Sequence, residues 1–408
     1  MKVKVLVVDD SAFMRKVISD IINSDPQMTV VGTARNGQDA IDKVQKLQPN
    51  VVTLDVEMPI MDGLKALEEI MKTKPTPVVM LSSQTKNGAE ATLGALQRGA
   101  IDFITKPSGS ISLDIHKLEA EIRLKVKIAA MARIPRVSRG SPLTGKGQST
   151  SELKLKRPSR TPESLIIRSP EKTILSPGLS KNQVVRPASI NLVDSWAETE
   201  NKAVIKPGLI SSTLNRLVMI GTSTGGPRAL YEIIPALPAH LGAPVLVVQH
   251  MPPGFTRSLA ERLDAVSAIR VKEAEDGEEV VSGTVYIAPG DYHLTVRPRR
   301  GENEAGQRLF IELTRDPQVS GHRPSVDVMM TSVANCFWAP MVAVILTGMG
   351  QDGTQGMKLL KSRGCRTIAE DESTCVVFGM PRVAIESGIV DRVVPLPRIA
   401  TEIQALLR

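Results

Sequence analysis

The chain has 408 residues, 42% apolar and 3% aromatic, with a formal net charge of +8; this length supports more than one domain. No uninterrupted apolar run reaches about 18 residues, so no membrane-spanning helix is expected. Three cysteines, Cys336, Cys365 and Cys375, form no CxxC pair, which argues against a disulfide framework or zinc site and fits a reducing cytoplasm.

The N-terminal run Val5–Val8 meets Asp9 and Asp10 after four residues, too soon for a signal peptide, and reads as a strand. Residues 1–132 continue as short apolar runs (Val3–Val8, Met28–Gly32, Val51–Leu54, Pro77–Leu81, Ala100–Ile104). These alternate with amphipathic stretches (Ala12–Asn23, Gly37–Leu47, Gly63–Thr73, Ala89–Arg98) and close with a helix over Leu113–Arg133. That alternation predicts an α/β domain, a parallel sheet with helices on both faces.

Residues 133–212 change character, with repeated Pro and Ser and no lasting apolar period, and read as a flexible linker. They hold 14 Lys/Arg against 6 Asp/Glu, the whole positive excess of the chain. The remainder is balanced and carries neither a basic recognition helix nor an aromatic-interleaved basic patch, so nucleic acid is not an expected partner. Trp196 in DSWAETE stands apart as a candidate docking motif.

Residues 213–408 return to a Rossmann-like doubly wound α/β pattern. Strands are expected at Arg216–Gly221, Ala243–Gln249, Gly283–Ala288, Met341–Thr347 and Cys365–Glu370. Helices are expected at Arg228–Ala236, Gly254–Ala265, Ser325–Asn335, Gly353–Lys361 and Met380–Ser387. Tyr292–Arg297 and Arg308–Leu313, joined by RRGENEAGQ, read as an antiparallel hairpin.

Two sets of residues carry chemistry. Asp9 and Asp10 follow the first strand, Asp55 the third, Ser82 the fourth and Lys106 the fifth, and strand C-terminal ends are where parallel sheets build sites. Three carboxylates gathered there repel one another unless a hard cation such as Mg²⁺ joins them. An Asp after a strand is often only a turn former or helix cap; four strand ends that together bear three carboxylates, a hydroxyl and an ammonium exceed that explanation.

The second set centres on GTSTGG, where an apolar strand stops at a glycine turn and Ser223 precedes Pro227. A strand–turn–helix of this kind exposes a serine beside free helix-terminal N–H groups that suit an oxyanion. The competing readings are a helix-capping serine and a phosphate cradle, although GTSTGG is neither GxGxxG nor a Walker loop. A nucleophilic serine needs a base. His250 ends the strand APVLVVQH at the same sheet edge, while His293 and His322 are weaker candidates and His116 and His240 are expected in solvent. The acid that orients a base is best placed at Asp352 in TGMGQDG, with Asp291, Asp316 and Asp327 as alternatives.

The set VVDD…LDVEMPIMDG…LSS…TKP resembles the receiver domain of bacterial response regulators. The resemblance implies a flavodoxin-like fold with strand order 2-1-3-4-5 and Asp55 as phosphoacceptor. It also implies Mg²⁺ held by Asp10, Asp55 and the Glu57 carbonyl with help from Asp9, a switch hydroxyl at Ser82, phosphoryl pairing by Lys106 and a cis Lys106–Pro107 bond. The set GTSTGG…VVQHMPPGF…APGDYHL…HRPSVD…VILTGMGQDGTQG…DESTCVVFGMPR resembles the catalytic domain of chemotaxis response-regulator methylesterases of the CheB type. That implies Ser223 as nucleophile, His250 as base, Asp352 as orienter, further active-site positions at Thr224 and Met349, and no cofactor in the hydrolase half. Domains of 1–132, 133–212 and 213–408 follow. The resemblance further implies methylated chemoreceptors as substrate, deamidation of glutamines as a second activity and a chemotaxis histidine kinase as phosphodonor. The chain is read as a cytoplasmic monomer. It departs from the family pattern at Thr222, where relatives often carry alanine.

Overall fold

The structure, a computed structural model, describes residues 2–106, 115–132, 214–298 and 308–408, with backbone alone for 115–117. The linker with Trp196, the Lys106–Pro107 bond, the His116 side chain and the hairpin turn lie outside the described residues.

In the N-terminal part β1 (Val3–Val8), β2 (Met28–Ala34), β3 (Val51–Asp55), β4 (Val78–Ser82) and β5 (Asp102–Thr105) form a parallel sheet in the order β2-β1-β3-β4-β5. This is the flavodoxin-like order that the receiver resemblance implies. The helices are α1 (Ala12–Asn23), α2 (Gly37–Leu47), α3 (Gly63–Thr73), α4 (Lys86–Gln97) and α5 (Ile115–Met131). Alternation along β1 explains why both faces are covered. Leu6 and Val8 pack with Ala40, Leu67 and Leu93 of α2, α3 and α4. Val5 and Val7 pack with Ile18 and Ile22 of α1 and with Ile122 and Val126 of α5. Helix α4 starts three residues earlier than expected because Thr85 caps it, its side chain accepting from the Gly88 amide.

The C-terminal part begins with β6 (Leu217–Thr222), α6 (Gly226–Ile233), β7 (Val245–Gln249), α7 (Phe255–Val266), β8 (Arg270–Glu273) and β9 (Thr284–Ile287). The hairpin β10 (His293–Pro298) and β11 (Leu309–Thr314) follows. Then come α8 (Val326–Cys336), β12 (Met341–Ile345), α9 (Thr354–Ser362), β13 (Arg366–Glu370), α10 (Met380–Glu386), β14 (Arg392–Val394) and α11 (Leu396–Leu406). Seven strands make one sheet, β14-β13-β12-β6-β7-β9-β8, with every neighbouring pair parallel. The hairpin is antiparallel.

Three elements lie beyond those read from the sequence: β8, β14 and α11. The two strands are the edges of the sheet, and their short sequences RVKE and RVV, each with a single buried residue, carry no buried run. Strand β12 stops at Ile345 rather than Thr347, which frees residues 346–352 as a loop at the site edge.

One apolar cluster joins the two parts, running from Leu93, Leu96 and Phe103 to Phe255, Leu259 and Leu263. At its centre the Phe103 and Phe255 rings stack with centroids 4.6 Å apart and 15° between planes.

Candidate active site

The two constellations lie at the C-terminal ends of the two sheets. In the first, Asp9 is fully buried and Asp55, the last residue of β3, is 3% exposed. Oxygens of Asp9, Asp10 and Asp55 lie within 4.8 Å of one another. Lys106 Nζ, just past β5, reaches Asp55 Oδ2 at 2.7 Å and Asp9 Oδ2 at 2.9 Å. Burial raises the Asp55 carboxyl to about 6 against the opposing pull of Lys106, and repulsion from Asp9 and Asp10 adds to the rise. One ammonium leaves this all-oxygen set with net negative charge, which fits a hard divalent cation. Glu57, two residues beyond Asp55, is exposed. The Ser82 hydroxyl ends β4 and is directed to the Gly88 carbonyl at 3.1 Å.

In the second constellation the capping reading of Ser223 fails on geometry. The residue that caps α6 is Gly225, in a left-handed conformation at φ +82°, and no side chain bonds the helix amides. A side chain at Gly225 would be strained there and would also meet Val376. Backbone bonds instead aim the turn. Ser223 N donates to the Thr347 carbonyl at 3.1 Å and Gly226 N to the Ser223 carbonyl at 2.8 Å. The side-chain amide of Gln249, the last residue of β7, donates to the Ser223 carbonyl at 3.0 Å and to the His250 carbonyl at 3.1 Å, tying the serine turn to the histidine. Thr222 contributes a buried hydroxyl bond of 3.0 Å to the Thr347 carbonyl. Across the loop, Gly348 packs so closely that a Cβ would lie 2.8 Å from that of Ser223.

His250 follows β7, and its Nε2 lies 2.8 Å from Asp352 Oδ2. Four donors converge on the Asp352 carboxylate. Oδ2 takes His250 and the Val326 amide at 2.7 Å; Oδ1 takes the Ser325 hydroxyl at 2.8 Å and the Asp327 amide at 3.0 Å. The carboxylate thus sits on the N-terminus of α8, whose partial positive charge favours an anion. Burial works against its charge, but the bonds from His250, Asp327 and Val326 prevail and hold Asp352 down to about 2. An ionised carboxylate only accepts, so His250 carries its proton on Nε2. The other ring nitrogen, Nδ1, is then a bare acceptor, buried and without a partner among the described residues.

Ser223, Thr224, His250 and Met349 line one cleft of about 680 Å³. The Thr224 and Met349 amides have no hydrogen-bond partner among the described residues. The opposite wall comes from the N-terminal part: Asp102, Phe103, Glu121, Leu124, Lys125 and Ile128. Thr224 Oγ1 donates to Asp102 Oδ2 at 2.6 Å, and Lys125 lies 3.5 Å from Asp102 Oδ1. With this wall in place Ser223 and Thr224 are each 8% exposed.

The weaker candidates sort by their contacts. His240 is exposed, as expected. His293 is buried and used up structurally, its Nδ1 accepting from the Ser325 amide and its Nε2 facing the Pro317 carbonyl. Asp316 is exposed. Asp291 pairs with Arg323 at 2.5 Å. Asp327 accepts from the Gly356 amide at 2.7 Å, and burial raises it to about 6, with repulsion from Asp352 adding to the rise.

Sequence reasoning missed Ser325, Gln249, Thr347 and Glu370. Gln249 read only as the last residue of an apolar strand, and Thr347 as a strand end. Glu370 is fully buried, and its Oε2 accepts the Thr347 amide at 2.8 Å; it thereby fixes the residue whose carbonyl holds Ser223. Burial raises this carboxyl to about 7, against the Thr347 bond. A raised acid is protonated longer in the fold than in the unfolded chain, so ionising it costs stability as pH climbs from about 4.5 to 7. Glu370→Gln keeps an acceptor for Thr347 and removes that cost. Its Tm relative to the parent is expected to rise between pH 5 and pH 8, as thermal melts at the two pH values would show.

The description CheB methylesterase matches residues 218–403, and Response regulator receiver domain matches residues 5–116. A protein-glutamate methylesterase/protein-glutamine glutaminase of Syntrophomonas wolfei is 46% identical over 99% of this chain and 99% of its own. The chain belongs to this family. A second member, from Symbiobacterium thermophilum, is 49% identical over 98% of this chain and 96% of its own. The solved CheB methylesterase catalytic domain of Thermotoga maritima is 50% identical, covering 47% of this chain and 97% of its own with a TM-score of 0.44. The two matched domains, receiver and then methylesterase, follow in that order along the chain. None of the described helices is long and apolar enough to cross a membrane.

Proposed function

We propose that this chain is a phosphorylation-activated hydrolase that demethylates glutamyl methyl esters on chemoreceptors, releasing methanol, and deamidates glutamines there, releasing ammonia. The observation that carries the reading is a buried Nδ1, without a partner among the described residues, on a histidine fixed to an ionised aspartate, in one cleft with a serine that does not cap α6.

Ser223 Oγ attacks the γ-carbonyl carbon while its proton passes to His250 Nδ1. The amides of Thr224 and Met349 hold the resulting oxyanion. Collapse breaks the bond to the methoxy oxygen, which takes the proton from His250 and leaves as methanol. Water then repeats the sequence on the Ser223 ester, giving glutamate and the free serine. With a glutamine side chain the leaving group is ammonia. Asp352 stays ionised throughout, holding the ring tautomer and stabilising the imidazolium.

Control comes through Asp55, phosphorylated by a chemotaxis histidine kinase. Asp10, Asp55 and the Glu57 carbonyl would hold Mg²⁺, with Asp9 acting through water; when bound, the ion offsets phosphoryl charge. Lys106 pairs with the phosphoryl group, and Ser82 is the switch hydroxyl. The covered arrangement, with Asp102 on Thr224 and α5 along the cleft, is the low-activity state, and phosphorylation shifts the population away from it.

Incubation with membranes bearing methylated receptors tests the reading: methanol release supports it, and its absence with and without a phosphodonor contradicts it. Asp102→Ala isolates the cover. A hydrogen bond to a charged acceptor contributes about 1.5–3 kcal/mol. Its loss at Thr224 is expected to raise methanol release without phosphodonor by roughly tenfold; release at the parent rate would show that this contact does not hold the cleft shut.

A further inference from the structure

A single hydrogen bond leaves an imidazole free to swing about the bonded atom. Nε2 of His250 is held by Asp352, yet among the described residues Nδ1 has no hydrogen-bond partner to stop the ring rotating. What does meet the ring is the face of His322. The two imidazoles lie with centroids 3.9 Å apart and planes within 13°.

His322 is itself rigidly set. It closes a tight turn in which Val319 and His322 exchange backbone bonds of 2.9 and 3.1 Å. Ser320 and Gly321 between them both have positive φ, 54° and 79°, the signature of a type I′ turn. The next residue, Arg323, anchors the segment through Asp291 Oδ1 and the carbonyls of Arg315 and Asp316. Two residues further on, Ser325 donates to Asp352, followed by the Val326 and Asp327 amides. One short segment therefore grips the face of the histidine and the carboxylate of its partner together.

We infer that His322 is a positioning residue for the reaction: its ring, packed flat on His250, fixes the imidazole plane so that Nδ1 stays directed into the cleft while Nε2 stays on Asp352. The inference rests on the hydrolase reading above. Burial, with repulsion from His250, lowers His322 to about 4, so at neutral pH the stacked ring is uncharged and does not oppose the imidazolium that forms on His250. The titratable groups facing it are His250, Asp352 and, from the N-terminal part, Lys125. What His322 supplies is a flat aromatic face against His250.

The test compares His322→Ala, His322→Gln and His322→Phe in the full chain, with Mg²⁺ and a small acyl phosphate present, by methanol release from methylated receptor membranes. A misdirected base costs on the order of 10²-fold. Ala and Gln should therefore lose about 10- to 100-fold in kcat with KM unchanged. Phe, which restores a flat ring, should recover most of the loss. If His322→Ala turns over at the parent rate, the inference is overturned. It is equally overturned if Gln retains activity while Phe does not, since a polar edge would then be what matters. Should Ala fail to fold, as a thermal melt would reveal, the Gln and Phe pair still decides. A Ser223→Ala control run alongside separates the two readings: if it too releases methanol, the hydrolase assignment fails, and the inference with it.

Discussion

Asp352→Asn is expected to lower kcat for methyl-ester hydrolysis by about 10⁴-fold, the scale found when a triad aspartate is neutralised elsewhere. The reason lies in the four donors that meet the carboxylate. Both oxygens are acceptors in use, one for His250 and Val326, the other for Ser325 and Asp327. An amide has one acceptor oxygen and one NH₂ group, so in either orientation an N–H faces other donors. If the NH₂ faces His250, the ring must offer Nε2 as acceptor, its proton moves to Nδ1, and the base is lost. If it faces Ser325, the helix terminus of α8 is left unsatisfied, at about 1.5–3 kcal/mol for each bond to a charged acceptor. In either orientation the NH₂ also meets a backbone amide of α8, Val326 on the His250 side and Asp327 on the other, so Tm should fall in both. The lowered kcat marks the tautomer effect, and retention of parental kcat would remove Asp352 from the mechanism.

Asp55→Asn is expected to release methanol at the same rate whether or not Mg²⁺ and a small phosphodonor are added, while the parent chain accelerates. Coupling between two sites typically spans about 5- to 150-fold, and the parental response should fall in that range. The carboxamide oxygen can still face Lys106, but it cannot form the acyl phosphate, so the covered population persists. What supports the expectation is a nearly buried carboxylate whose repulsion with Asp9 and Asp10 is offset by Lys106 at 2.7 Å. A donor response surviving in Asp55→Asn would place the phosphoacceptor elsewhere.

Much of this architecture is legible in the chain because central parallel strands are covered on both faces and appear as continuous apolar runs. VVTLD and VVMLS, like LVMIGT and VLVVQ, announce themselves in that way. Edge strands have no such requirement, and β8 and β14 pass unnoticed in charged sequence. Helix α11 has the right period at Leu396, Ile399, Ala400 and Ile403, but no motif directs attention to it.

The site divides along the same line. Candidate site residues at or just past a strand end, Asp55, Ser223 and His250, can be placed from one dimension. Those that act by reaching across are not legible, since Ser325 meets Asp352 over 27 residues and Glu370 meets Thr347 over 23. Nor does the sequence tell which nitrogen of His250 faces the carboxylate. That depends on where α8 delivers its amides. The wall that the N-terminal part sets against Thr224 joins residues 122 apart, and only the folded contact reveals it.

The most direct test of the central claim is the initial rate of methanol release from methylated receptor membranes by the parent chain and by Ser223→Ala, both with Mg²⁺ and phosphodonor. Loss of the nucleophile from such a triad costs on the order of 10⁴-fold or more. The account predicts release by the parent and none above background by the variant, with both chains melting alike. Equal rates would contradict it and would leave Ser223 as no more than a residue in a tight turn.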